Sequence, residues 1–125
     1  MIFFTVSSLI IFLYFSPTKA PDRGPADLQV WTPHSTALHV RWNEVPDAYR
    51  NGVIRGYKVY YLEANSNGSS LTEDVPSGQQ SLSITGLKKF TLYNVTVLAY
   101  TSKGDGAITS EVLMTDQDGM PAKVY

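Results

Sequence analysis

Residues 84–100 read ITGLKKFTLYNVTVLAY, and the second half of that stretch decides the kind of fold. From Leu92 onward the residues alternate: Tyr93, Val95, Val97 and Ala99 fall on one side, Asn94, Thr96 and Leu98 on the other. A period of two belongs to an extended strand with one face in a core and one in water. Tyr93 follows Thr91 by two positions at the strand entrance. There its hydroxyl can bond back to the backbone of the preceding corner.

The same period recurs along the chain. In TALHVRW, residues 36–42, Leu38, Val40 and Trp42 alternate with His39 and Arg41. In GYKVYYLE, residues 56–63, Tyr57, Val59 and Tyr61 face one way, and Lys58 and Tyr60 the other. Shorter strands are expected at ADLQVW (26–31), LTEDVP (71–76), SLSIT (81–85) and ITSEVLMT (108–115). NEVPDAYRNG, NSNGSS, PSG and SKGDG separate them, each rich in turn formers. No segment sustains helical spacing. Seven short strands between regular turns predict an all-β fold, a seven-stranded antiparallel immunoglobulin-like sandwich. Its expected core is Leu38, Val40, Trp42, Tyr57, Val59, Tyr61, Leu87, Tyr93, Val95 and Val97. The Trp42 indole is the large apolar body between the sheets.

Composition agrees with one folded module. The chain has 125 residues, 43% hydrophobic and 17% charged, which is too apolar for a disordered tail. A net charge of −1 supplies no basic field for nucleic acid. With no cysteine there is no disulfide framework, thiolate metal site or cysteine nucleophile. Residues 1–20 stand apart as a hydrophobic leader, apolar from Ile2 to Phe15 except at Thr5, Ser7 and Ser8. The run is short for a membrane span and fits the apolar part of a secretory signal, with Thr18-Lys19-Ala20 as the cleavage site. Against cleavage, no cation precedes the run and Pro21 would follow the cut; an uncleaved anchor and an arbitrary start are the alternatives. The expected domain is 21–116, followed by a linker or tail at 117–125.

These residues together resemble a fibronectin type III domain. The resemblance rests on a proline ahead of ADLQV, on Trp42 in LHVRWNEVP and on Tyr57 in NGVIRGYKVYY. It extends through Leu87, Thr91, Tyr93, Val95, Val97 and Ala99, and through the glycine-x-glycine of KGDGAITS. Lys89 departs from the family, which often has a proline there. NGVIRGYKVYY looks most like modules of adhesion receptors and receptor tyrosine phosphatases.

Chemistry has little material. His34 and His39 lie in a turn and on an outward strand face, and Glu44, Asp47, Glu63, Glu73 and Asp74 are scattered over loops and edges. Asp116 and Asp118 in DQDG lack the later ligands and terminal glutamate of a calcium loop. No catalytic residues, cofactor or metal are expected, and the chain is read as a non-enzyme. Two sequons precede any glycan: Asn67-Gly68-Ser69 in a polar loop and Asn94-Val95-Thr96 on a strand, with Asn94 outward. In some members of the family the loop before the last strand carries an arginine-glycine-aspartate sequence that integrins recognise. Here the loop has Lys103, Gly104 and Asp105, and lysine lacks the planar guanidinium fork. Glycines at 104 and 106 with Asp105 between them also suit a plain tight turn, and that reading is preferred. A further candidate surface is Lys58, Tyr60 and Leu62 with Arg50 from the neighbouring loop.

The resemblance implies an extracellular, secreted or cell-surface spacer or interaction module of an adhesion or receptor protein. Its expected partners are proteins of the cell surface or matrix, met through loops or an exposed sheet face. Nucleic acid is not expected, and membrane enters only through the leader or the parent protein. The alternatives are a complete secreted single-domain ligand or decoy, and a spacer attached to a secreted enzyme.

Overall fold

A computed structural model describes residues 17–117 and shows two antiparallel sheets packed face to face. The strands are β1 (Ala26–His34), β2 (Ala37–Asn43), β3 (Gly56–Glu63), β4 (Leu71–Pro76), β5 (Ser81–Ile84), β6 (Leu92–Thr101) and β7 (Gly104–Met114). One sheet runs β1-β2-β5 and the other β4-β3-β6-β7. Residues 1–16 and 118–125, which include the apolar leader run and Asp118, lie outside the described residues.

Alternation in β2, β3 and β6 builds the core, because inward residues of the two sheets meet face to face. Leu38, Val40 and Trp42 come from one sheet; Tyr57, Val59, Tyr93, Val95, Val97 and Ala99 come from the other. Val45, Val75, Ile84 and Leu87 complete the cluster, and Tyr61 packs against it half-buried. The Trp42 and Tyr57 rings lie 5.3 Å apart and are tilted by 60°, an edge-biased contact that adds to their area burial. Trp42 Nε1 is buried with no hydrogen-bond partner among the described residues, so the indole acts here as apolar bulk.

Several local features depart from the alternation. Leu98 takes the outer sheet face but is only 5% exposed, flanked across the ladders by Lys58 and Ile108. The last strand starts at Gly104, four positions before the expected Ile108, because a bulge lets the glycine-rich segment pair: Leu98 opposes Ile108, but Tyr100 opposes Asp105. At the bulge the Ala107 N–H donates to the Pro21 carbonyl at 3.3 Å. Gly106 is required there by close approach, since a Cβ would stand 2.7 Å from the Pro21 ring. Thr109 Oγ1 donates to the Pro25 carbonyl at 2.8 Å. Residues 21–25 thus cover part of the β7 edge, a common way of blocking edge-to-edge pairing.

Residues 17–20, grouped with the leader on sequence, include three backbone groups bonded to the sandwich. Thr101 Oγ1 donates to the Lys19 carbonyl at 2.7 Å, Lys19 N–H to the Asn51 carbonyl at 2.9 Å, and Asn51 Nδ2 to the Ala20 carbonyl at 3.0 Å.

Candidate functional site

The pairing registers bring three connections to one end of the sandwich. Gly56 lies opposite both Pro76 and Tyr100, and Arg41 opposite Ser81. Residues 44–55, 77–80 and 102–103 therefore form one loop pole. The longest of these loops holds its shape through Arg50. The guanidinium reaches Glu44 at 2.7 Å and Asp47 at 3.0 Å through Nη2, and the Val45 carbonyl at 2.7 Å through Nε. A planar fork with fixed N–H directions suits a clamp of this kind. Asp47–Tyr49 forms one 3-10 turn beneath it, and Arg23 stacks over the Tyr49 ring at 4.0 Å.

Beside the clamp is an open cleft of about 370 Å³, lined by Glu44, Arg50, Val53, Ile54, Tyr57 and Ser77 among others. Val53 stands at its rim, 69% exposed. Tyr57 closes its floor, and burial raises the phenol above its ordinary pKa. The cleft therefore offers an apolar wall, a fixed cation and the Glu44 carboxylate, which is chemistry for recognition. Among the described residues no group of three or more histidines, cysteines or carboxylates is placed to hold a metal ion.

The Lys103-Gly104-Asp105 segment is split by the hairpin. Ser102 and Lys103 make the two-residue turn, while Gly104 and Asp105 already belong to β7. Gly104 has φ 136°, open to glycine and strained for other residues. Asp105 turns its carboxylate back along the outer sheet face, where Lys58 Nζ meets its two oxygens at 2.9 and 3.2 Å. That hydrogen bond is the main reason the Lys58 ammonium has a raised pKa, and the same ammonium lies 5.3 Å from the centre of the Tyr100 ring. Engaging a metal ion through Asp105 would require breaking this ion pair.

Lys58, Tyr60 and Leu62 do share the outer face of β3, each half-buried, but Arg50 is committed to the loop pole and does not join them. Asn67 is exposed in the loop after β3, at the opposite pole from the cleft, and Asn94 is exposed on the outer face of β6. His39 stacks near Trp31 with ring centres 4.5 Å apart, and its Nδ1 lies 2.9 Å from Ser83 Oγ. His34 Nδ1 lies 3.4 Å from the Thr36 N–H within the β1–β2 turn. Glu63 pairs with Lys88 at 2.9 Å; Glu73 and Asp74 are exposed on β4. Asp116 accepts the Phe90 N–H through its backbone carbonyl.

Two features escaped the sequence reading. The Arg50 clamp needs the loop conformation before its three acceptors converge. Thr115 is 1% exposed and bonds to the corner before β6, with no local pattern to mark it. The corner also shows the expected tyrosine bond: Tyr93 Oη accepts the Lys88 N–H at 3.0 Å.

Known proteins carry the same pattern. The family profile described as Fibronectin type III domain matches residues 23–116. Protein sidekick of Drosophila melanogaster is 38% identical over 109 residues, covering 83% of this chain and 5% of that protein. Receptor-type tyrosine-protein phosphatase F of Mus musculus is 35% identical, covering 82% of this chain and 6% of its own. Cell adhesion molecule DSCAML1 of Mus musculus is 29% identical, covering 81% and 5% respectively. This chain thus corresponds to a small part of each. With the profile match running from before the first strand to past the last, the chain belongs to the fibronectin type III family.

Proposed function

We propose that the chain is a non-catalytic, extracellular interaction module of a cell-surface adhesion or receptor protein, and that its loop pole meets the protein partner. Likeness to a receptor-type phosphatase and a cell adhesion molecule supports the setting. The observation that carries the surface is the Arg50 clamp: three oxygen acceptors hold residues 44–55 in one shape beside an open cleft with Val53 exposed at its rim. Preorganised loops lose little entropy on binding, and an apolar residue ringed by charge fits the usual build of a contact centre. Lys103, Gly104 and Asp105 serve the turn in this reading.

The test presents the secreted chain on beads to cultured neural and epithelial cells and counts attachment. Val53→Asp is expected to lower attachment sharply without changing the fold, since the side chain lies in solvent. Asp105→Ala is expected to attach like the parent. Equal attachment of parent and Val53→Asp would remove the loop pole as the contact surface, and loss only with Asp105→Ala would restore the tripeptide as an adhesive site.

A further inference from the structure

Asn94 stands midway across the outer face of the four-stranded sheet, between Leu62 on β3 and Val112 on β7. One step along the same face Leu92 lies opposite Met114. Val112 is 50% exposed and Met114 40%, while Leu62 and Leu92 are half-buried. The half of the face around Asn94 is thus largely apolar, with Asn94 its exposed polar centre. The other half carries the Lys58–Asp105 ion pair, with Ile108 exposed beyond it.

The Asn94 side chain has no hydrogen-bond partner among the described residues, so substitution at its amide breaks nothing. Its sequon partner is placed otherwise: Thr96 Oγ1 lies 2.8 Å from Ser110 Oγ on β7. An Asn-x-Thr sequence needs a free hydroxyl and an extended chain during modification. Both are present before β7 pairs with β6, and β7 follows β6 directly in the chain.

We infer that Asn94 carries an N-linked glycan whose first sugars lie over Leu62, Leu92, Val112 and Met114. The inference rests on the extracellular reading above. The step forms a bond from Asn94 Nδ2 to the anomeric carbon of a lipid-pyrophosphate-linked oligosaccharide. The lipid pyrophosphate leaves, and Nδ2 gives up one proton. A pyranose ring has an apolar C–H face and a hydroxylated rim. Laid on this half-face it removes apolar surface from water while its hydroxyls stay wet. Exposed apolar patches on soluble proteins usually mark a contact, and here the residue bearing the occupant stands inside the patch. The loop pole, at the end where β6 meets Gly56 through Tyr100, stays open to a partner.

The test compares the full chain, Asn67→Gln and Asn94→Gln, each secreted from animal cells. Enzymatic glycan release from the Asn67→Gln chain is expected to lower its mass by one glycan. Asn94→Gln is expected to bind more of a hydrophobic dye than the parent, with an unchanged circular dichroism spectrum. Trimming the Asn67→Gln chain to a single sugar repeats the dye measurement without a substitution at 94. A mass shift in Asn94→Gln but none in Asn67→Gln overturns this inference and leaves the extracellular reading standing. No shift in either variant, in chains recovered from the medium, also overturns this inference and likewise leaves the extracellular reading standing. A glycan at Asn94 whose loss leaves dye binding unchanged overturns its placement on the apolar face.

Discussion

Phe90 carries the plainest misfit between a residue and its position. It sits in the corner before β6 with φ 47°, where the Cβ of an L-residue crowds the following carbonyl. The residue is 57% exposed, so packing returns little. The position is held because the Phe90 N–H bonds to the Asp116 carbonyl at 3.1 Å, and because Thr91 and Tyr93 on either side of Leu92 are anchored in turn. A left-handed non-glycine residue costs about 1–2 kcal/mol. Glycine returns that strain but adds unfolded-chain entropy worth roughly 0.4–1 kcal/mol. Strain relief is the larger effect, and Phe90→Gly is expected to stabilise the domain by about 0.5–1 kcal/mol. Urea unfolding of the two chains at matched slope measures the difference. A lower midpoint for glycine would show that the exposed ring holds the corner in place.

Between elements, the corner depends on a residue far away in the chain. Thr115, just past β7, accepts the Thr91 N–H at 2.9 Å and donates to the Lys88 carbonyl at 2.7 Å, while its own N–H reaches the Thr91 carbonyl at 3.0 Å. One hydroxyl thus satisfies two backbone groups of a loop that the sheets leave unpaired. Thr115→Val keeps the shape and removes both bonds. A backbone group left without a partner costs about 1–3 kcal/mol when buried, and these are partly buried, so a total loss of about 1–3 kcal/mol is expected. Thr115→Ser keeps the hydroxyl and should stay near the parent. Equal denaturation midpoints for valine and serine variants would mean that the hydroxyl does not staple the corner. The sequence hid this link for a physical reason. Alternation reports which face a residue takes, and Tyr93, Val95 and Val97 were legible through it. A hydroxyl pairing with a loop 24 residues away leaves no periodic trace.

At the scale of the whole molecule, the layers were legible and the ends were not. Strands β3 and β4 have the same limits in sequence and structure, because turn formers flank both, and in β3 alternation adds to them. The β7 start was misread because glycines suit both a turn and a bulged strand. The loop pole was legible only as turn-rich chain, since its cleft and clamp depend on three separated connections. The assembled sandwich also sets its response to base. Burial raises the pKa of Tyr57 and Tyr61, and carboxylate hydrogen bonds raise Lys58 and Lys88, so all four shifts have one sign. The folded state holds these protons more tightly than the unfolded chain, whose values lie near 10.0 for tyrosine and 10.5 for lysine. Their contributions are therefore fully present below those values and are lost as pH rises through the higher folded ones. The exposed lysine pairs are screened by water and contribute little. Tyr57, 1% exposed on the cleft floor, should dominate, because burial opposes its phenolate in the folded state. The thermal midpoint is expected to hold steady up to about pH 9.5 and to fall beyond about pH 10. In Tyr57→Phe the fall should be shallower, even where the lost hydroxyl lowers the starting midpoint. Parallel declines in the two chains would place the alkaline sensitivity elsewhere than the core phenol.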